Sequence, residues 1–221
     1  MPLLGTAAML LSFDVLPEAV AEHDHWHTHE HLPERLAIPG FLRGTRWVAL
    51  PGQQPRYMVL YEVQDLATLA SEAYLARLNQ PTPWTTKMMP HYRGMQRGLC
   101  AVAASAGLGS GHLALLTRFT PAPGAALDPQ LPARLAQRPG LGSVHLLQGA
   151  LVAQMTQEQR IRGADAGVEA ALLVTGYEQP ALEALVEGEL SPAALQAQGA
   201  QAVVHTLYRV DYTLTAAELA V

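Results

Sequence analysis

The chain has a single cysteine, Cys100, in 221 residues. One thiol excludes an internal disulfide and every zinc motif built on cysteine. Cys100 lies in the apolar run LCAVA and reads as an inert buried thiol. Basic residues are few as well, 14 Lys and Arg against 19 Asp and Glu, a formal net charge of −5. That balance argues against a general nucleic-acid binder. No stretch reaches the ~18–20 uninterrupted apolar residues of a membrane span. Leu3 to Leu16 is apolar, but Asp14 interrupts it and the first basic residue is Arg35, so it does not read as a signal peptide. Rossmann and P-loop glycine patterns are missing, which disfavours nucleotide chemistry. The expectation is a cytoplasmic protein with no membrane or nucleic-acid partner. Its 49% hydrophobic residues suffice for one large domain or two small ones.

What the chain has in plenty is histidine in one place. Five of its nine histidines occupy alternate positions in HDHWHTHEHLPER: His23, His25, His27, His29 and His31. Such a polar run is poor core material. Imidazole exchanges protons near neutral pH and is the commonest metal ligand, so chemistry is expected here. On a helix turning about 100° per residue, His23, His27 and His31 fall within an arc of about 80°, flanked by Glu30 and Glu34. His25 and His29 point the other way. Pro33 cannot donate a hydrogen bond to residue 29, so the helix is expected to end or bend near His31, at a cavity mouth. On a strand, all five would share one face as a metal-loading strip.

The sequence repeats itself at about half its length. LPERLA at Leu32–Ala37 returns as LPARLA at Leu131–Ala136, and Pro39-Gly40-Phe41 returns as Pro139-Gly140-Leu141. Such a period marks a domain-scale duplication, too long for a solenoid. The first half reads as a strand over 8–15, a helix over 18–31, strands over 42–50 and 57–63, a helix over 66–78 and a strand over 92–104. The second reads as a strand over 112–119, a helix over 127–136, strands over 144–152 and 168–177, a helix over 180–187 and a strand over 203–212. Residues 104–111 read as a linker and 156–167 as a loop. The order β-α-β-β-α-β is the ferredoxin-like unit. The fold class is therefore α+β, with units at 1–106 and 107–221. Two such sheets face to face would cover each other.

These features carry a resemblance. The repeat with Trp26, Glu30, His31, Pro33, Glu34 and Arg35, then Pro39, Gly40, Phe41 and Arg46, resembles the dimeric α/β-barrel superfamily, and looks closest to its EthD-like branch. The resemblance implies one intramolecular α/β barrel made of two tandem ferredoxin-like units, with a cavity between sheet and helices. The superfamily includes cofactor-free monooxygenases, cyclases, isomerases, decarboxylases and haem enzymes, so fold cannot choose the reaction. The second copy keeps Arg134 but has Pro129-Gln130 where the first has Glu30-His31, which marks it as the structural half.

The expected function is a small-molecule enzyme in the first half, independent of cofactors. Proton transfer would serve isomerisation, cyclisation, decarboxylation or cofactor-free oxygenation. His31 is the expected acid/base, Glu30 its orienting partner, and Arg46 or Tyr61 the group that holds developing negative charge. Trp26, His27, Tyr61, Trp84 and His91 are expected to line the substrate site. The alternative is a haem or divalent transition-metal site using His27 and His31, with His23 or a carboxylate as third ligand. A third reading is a small-ligand-binding protein without turnover. Arg35 and Arg134 suit structural ion pairs, and Met88 and Met89 suit core filling. Homodimers of the fused barrel are compatible with all three.

Overall fold

The computed structural model describes residues 3–151 and 155–219. Nine strands form one sheet. They are β1 (Ala7–Val15), β2 (Phe41–Ala49), β3 (Tyr57–Val63), β4 (Tyr92–Gly107), β5 (Leu113–Pro121), β6 (Leu141–Leu151), β7 (Ala166–Gly167), β8 (Ala170–Gly176) and β9 (Ala200–Thr215). Following hydrogen-bonded neighbours gives β1-β3-β2-β9-β5-β8-β6-β4, and β4 pairs back onto β1. Eight antiparallel strands thus close into a barrel, and the two-residue β7 adds a short parallel pairing to β4. Closure leaves no long strand edge exposed.

Both faces of most strands are covered, so they are apolar in unbroken runs rather than alternately. All seven residues of β3, YMVLYEV, are buried. Ala8, Leu10, Met58, Leu60, Cys100, Ala114, Leu116 and Leu173 fill the barrel interior. The intervening residues face outward under helices. Met9, Phe13, Val59 and Tyr61 do so in the first half, and Leu115, Leu172 and Val174 in the second. The second half's outer layer is closed by leucines, among them Leu131, Leu135 and Leu172.

The histidine segment is helical, but it does not stop at His31. A 3-10 turn (Pro17–Ala19) leads into α1 (Val20–Trp26), a π-helical turn (His27–His31) and α2 (Leu32–Leu36). The expected end near His31 is corrected by this turn. Leu32 N–H donates to the His27 carbonyl, five residues back, so the chain has already slipped one residue when Pro33 arrives. Pro33 then sits in the first turn of α2, where its missing N–H costs nothing. Leu32 packs over Gly44 of β2, where a Cβ would lie 3.1 Å from Leu32 Cδ1, so the missing side chain sets how closely helix meets sheet.

Other expectations shift. The helix over 66–78 is split at Ser71, which caps α3 (Glu72–Asn79) by accepting from Tyr74 N–H at 3.2 Å. A further helix, α4 (Pro83–Met88), follows. The proposed linker over 104–111 is shorter, because 104–107 continue β4 and pair with β6. The helix over 127–136 shrinks to α5 (Leu131–Leu135). The segment 156–167 is not a plain loop. It holds α6 (Gln157–Arg162) and β7, and it packs against the first half. Helices α7 (Gln179–Glu187) and α8 (Pro192–Gln196) complete the chain. The strand expected over 144–152 ends at Leu151, its last residue lying outside the described residues. Among the described residues, no helix is long and apolar enough to cross a membrane.

Candidate active site

Helical periodicity sorts the five histidines into two groups. His23, His27 and His31 are 0%, 1% and 7% exposed, while His25 and His29 face solvent. The buried three form a file, with successive ring centroids 5.6 Å apart. At its outer end, His23 Nδ1 lies 3.1 Å from Asp24 Oδ1 and Nε2 lies 3.2 Å from the Tyr92 hydroxyl. At its inner end, the Trp26 ring lies against His31, with centroids 4.4 Å apart. Burial, and then the nearby cations Arg35 and Arg162 with the other histidines, holds His31 well below the ordinary imidazole range. Burial does the same to His27, helped by His23 and Arg46. Both are neutral at pH 7.

His31 opens onto a cavity of about 20 Å³, bounded by Met9, Leu11 and Leu78 on its apolar side and otherwise polar. About one water-sized group fits. The polar wall comprises His31, Arg35, Tyr61, Tyr74, Arg97, Glu158 and Arg162. Arg35 Nη2 donates to Glu158 in a pair buried on both sides. Arg162 holds Asp165 with two donors, at 2.9 and 2.6 Å. Arg97 donates to the Tyr74 hydroxyl at 2.8 Å and lies 3.6 Å from Asp165. Four polar atoms around this space have no protein partner: His31 Nδ1, Tyr61 OH, Arg35 Nη1 and Arg97 Nε. A buried polar group without a partner costs about 1–3 kcal/mol, so four in one place single out the cavity.

Several expected residues stand elsewhere. Glu30 does not orient His31. Its carboxylate accepts from Trp26 Nε1 at 3.0 Å and from the Thr82 hydroxyl at 2.6 Å, because one residue of helix turns it about 100° from its neighbour. Arg46 does not face the cavity. It donates to Asp211 at 2.7 Å and to the Asp24 carbonyl at 3.2 Å, beside the outer end of the file. Trp84 lies over the solvent face of α1, where it donates to Glu22 at 3.2 Å and meets the His25 ring. His91 ends the 3-10 turn after α4, and neither residue lines the space beside His31. Tyr61 does line it. Trp26 and His27 support it from behind.

Sequence reasoning missed the charged half of the wall. Arg35 is readable in the sequence only as a structural ion pair, and Arg97 sits in the mixed YRGMQRG start of β4, where nothing local marks it. Glu158, Arg162 and Asp165 lie in the segment read as a loop. One signal was there: Thr156 and Gln159 are spaced as a capping box, and Thr156 N–H donates to Gln159 Oε1 at 3.0 Å.

The metal alternative finds no support in the geometry. Among the described residues, no three His, Cys, Asp or Glu side chains are grouped to hold an ion. His23, His27 and His31 stand in line rather than around a common point. A haem at His31 would have to displace Tyr61 and the buried Arg35–Glu158 pair, which stand around the same space.

No family model matches the chain, and no curated protein matches it by sequence. Solved structures do. One is an anthrone oxidase-like protein, 16% identical, TM-score 0.67, with 98% of this chain and 96% of that chain covered. A candidate monooxygenase from Fusobacterium nucleatum is 9% identical, TM-score 0.56, with 96% and 95% covered. A haem-binding protein from Thermus thermophilus is 11% identical, TM-score 0.51, with 99% and 96% covered. At these identities the likeness is one of fold. The closed eight-stranded antiparallel barrel with helices outside it is the fold that this chain shares with these structures.

Proposed function

We propose that the chain is a small-molecule enzyme that removes a proton next to a carbonyl or phenol. His31 is the base, and Tyr61 and Arg35 hold the negative charge that results. One observation carries this reading: a buried neutral imidazole shares a cavity with two donors, Tyr61 OH and Arg35 Nη1, that no protein atom occupies. A base must be neutral to accept, and preorganised donors out of water are the strongest electrostatic aid to a developing oxyanion. His31 accepts the proton and becomes imidazolium, and the substrate oxygen takes up the electron pair as an enolate or phenolate. Behind His31 the file continues through His27, 5.6 Å away by ring centroids, to His23, whose Nδ1 lies 3.1 Å from the partly exposed Asp24. Trp26 and His27 position His31 and do not touch substrate. Isomerisation, cyclisation, decarboxylation and cofactor-free oxygenation can all start from that anion.

We also propose that the chain is a tandem duplication, with units at 1–106 and 107–221, nearest the EthD-like branch. The two LPxRL helices support this. Each ends in a turn through a glycine at positive φ, Gly40 at 90° and Gly140 at 81°, and each leads into the second strand of its half. His31, Arg35, Tyr61 and Arg97 of the site come from the first unit and Glu158 and Arg162 from the second, whose repeat keeps Arg134 but has Gln130 where the first has His31.

An anthrone is a suitable carbon acid for the test, given the fold neighbour described as anthrone oxidase-like. Deuterium exchange at its C10 methylene should be accelerated by the protein. His31→Gln should slow that exchange by ~10²–10⁴-fold while melting near the wild-type temperature. His25→Ala should leave it unchanged. Oxygen uptake in the same reaction selects the oxygenase branch. Equal exchange with wild-type and His31→Gln protein would remove the proposal.

A further inference from the structure

The arginine cavity has a neighbour. A groove of about 570 Å³ opens beside it, and Arg97 lines both spaces. The segment holding α6 lies between them, giving Glu158 and Arg162 to the cavity and Gln159 and Asp165 to the groove. The groove has apolar walls at Leu99, Leu151, Met155 and Val168. Leu151 and Met155 are among the few large apolar side chains left in water, at 38% and 54% exposed. Apolar surface that lines a concave space, rather than standing singly, marks a binding surface.

Charge distinguishes the inner end. At the inner end three guanidinium groups, Arg35, Arg97 and Arg162, face two carboxylates, Glu158 and Asp165, so one positive charge is left over in a buried place, while a third carboxylate, Glu169, lines the groove at an exposed position. Two of those guanidiniums still have a buried N–H without a protein acceptor, Arg35 Nη1 and Arg97 Nε. Buried charge needs a counter-charge and buried donors need acceptors. An acidic oxygen meets both needs, and a fork of guanidinium donors suits a carboxylate or phenolate.

We propose that groove and cavity form one binding site for a small aromatic acid or acidic phenol. Its flat apolar body lies against Leu99, Leu151, Met155 and Val168, and its anionic oxygen is held by Arg97, which lines both spaces. This names the substrate class for the proton-transfer reading and is placed by that reading's cavity. Its contacts, however, involve binding alone.

Titration calorimetry on the full chain with 2-naphthoate tests this, with methyl 2-naphthoate as the uncharged counterpart. One site is expected, with the ester at least tenfold weaker. Arg97→Gln should weaken naphthoate at least tenfold and leave the ester unaffected. Leu151→Asp, at a half-exposed position where folding is not at stake, should weaken both ligands. That variant keeps the test decisive if Arg97→Gln fails to fold. No saturable naphthoate binding, equal binding of acid and ester, or wild-type affinity in Leu151→Asp would overturn the proposal. His31→Gln should still bind naphthoate. Loss of anthrone exchange is read separately, so failure of the proton-transfer reading and failure of this one are told apart.

Discussion

Arg35 and Glu158 are 123 residues apart in sequence and form a hydrogen-bonded ion pair with both side chains buried. The pair fastens α6, from the second half, over the cavity that α1 and α2 build in the first. Its burial costs desolvation on both sides, so its net contribution is small, but breaking it is expensive.

Glu158→Gln should therefore destabilise the protein by about 3–5 kcal/mol, by leaving Arg35 charged, buried and without its counter-ion. Replacing both partners together, as Arg35→Met with Glu158→Met, should cost far less. Urea unfolding of wild type and both variants checks this. A single variant no worse than the double would show that the pair is exposed in solution.

Stability should fall with acid in a definable window. His23, His27 and His31 are all held below the ordinary imidazole value, with burial the leading cause, and His145 is pushed down to about 4. The unfolded chain binds protons near the ordinary value of about 6.5, where the folded chain does not. The stability these groups supply is thus full above about pH 6.5 and lost as pH drops through their folded values. The melting temperature should hold from pH 7.5 to about pH 6.5 and decline steadily from there to pH 5. A flat profile over that range would mean that these rings are hydrated in solution.

Tyr61→Phe should separate stability from function. Its hydroxyl is fully buried without a protein partner, so removing it should leave stability unchanged or raise it by about 1 kcal/mol. If that hydroxyl holds the developing negative charge, anthrone exchange should drop by ~10²-fold or more. A variant less stable than wild type but equally active would make Tyr61 a packing residue only.

Arg46→Gln should do the reverse. It breaks the pair with Asp211 and the bond to the Asp24 carbonyl, with Arg46 buried and Asp211 partly exposed. A loss of about 1–3 kcal/mol is expected, with exchange at His31 within twofold of wild type. A large loss of activity in a well-folded Arg46→Gln protein would reinstate Arg46 as the group that holds the negative charge.

Much of the scaffold was legible locally. Unbroken apolar runs marked strands with two covered faces, and Pro-Gly pairs marked their ends. The spacing of His23, His27 and His31 was enough to put them on one helical face, away from His25 and His29, because helix periodicity depends only on residue number. Pro33 signalled a disturbance at the right place. Its form, a π-turn rather than a helix end, was not legible, since that depends on what α2 gains by packing Leu32 over Gly44.

What the sequence by itself determined, then, was the succession of elements, the sided histidine helix and a second half with Pro129-Gln130 where the first has Glu30-His31. These follow from period and residue type, which act over a few neighbours. Only the tertiary structure decided which charged groups surround His31. Barrel closure brings a segment more than a hundred residues away onto the histidine helix, so Arg35 meets Glu158, and Arg97 of β4 meets Asp165. The same packing turns Glu30 toward Thr82 and Arg46 toward Asp211. Long-range pairing of charges has no signature in local spacing. It is set by where closed sheets put their loops, and there the composition of the site is decided.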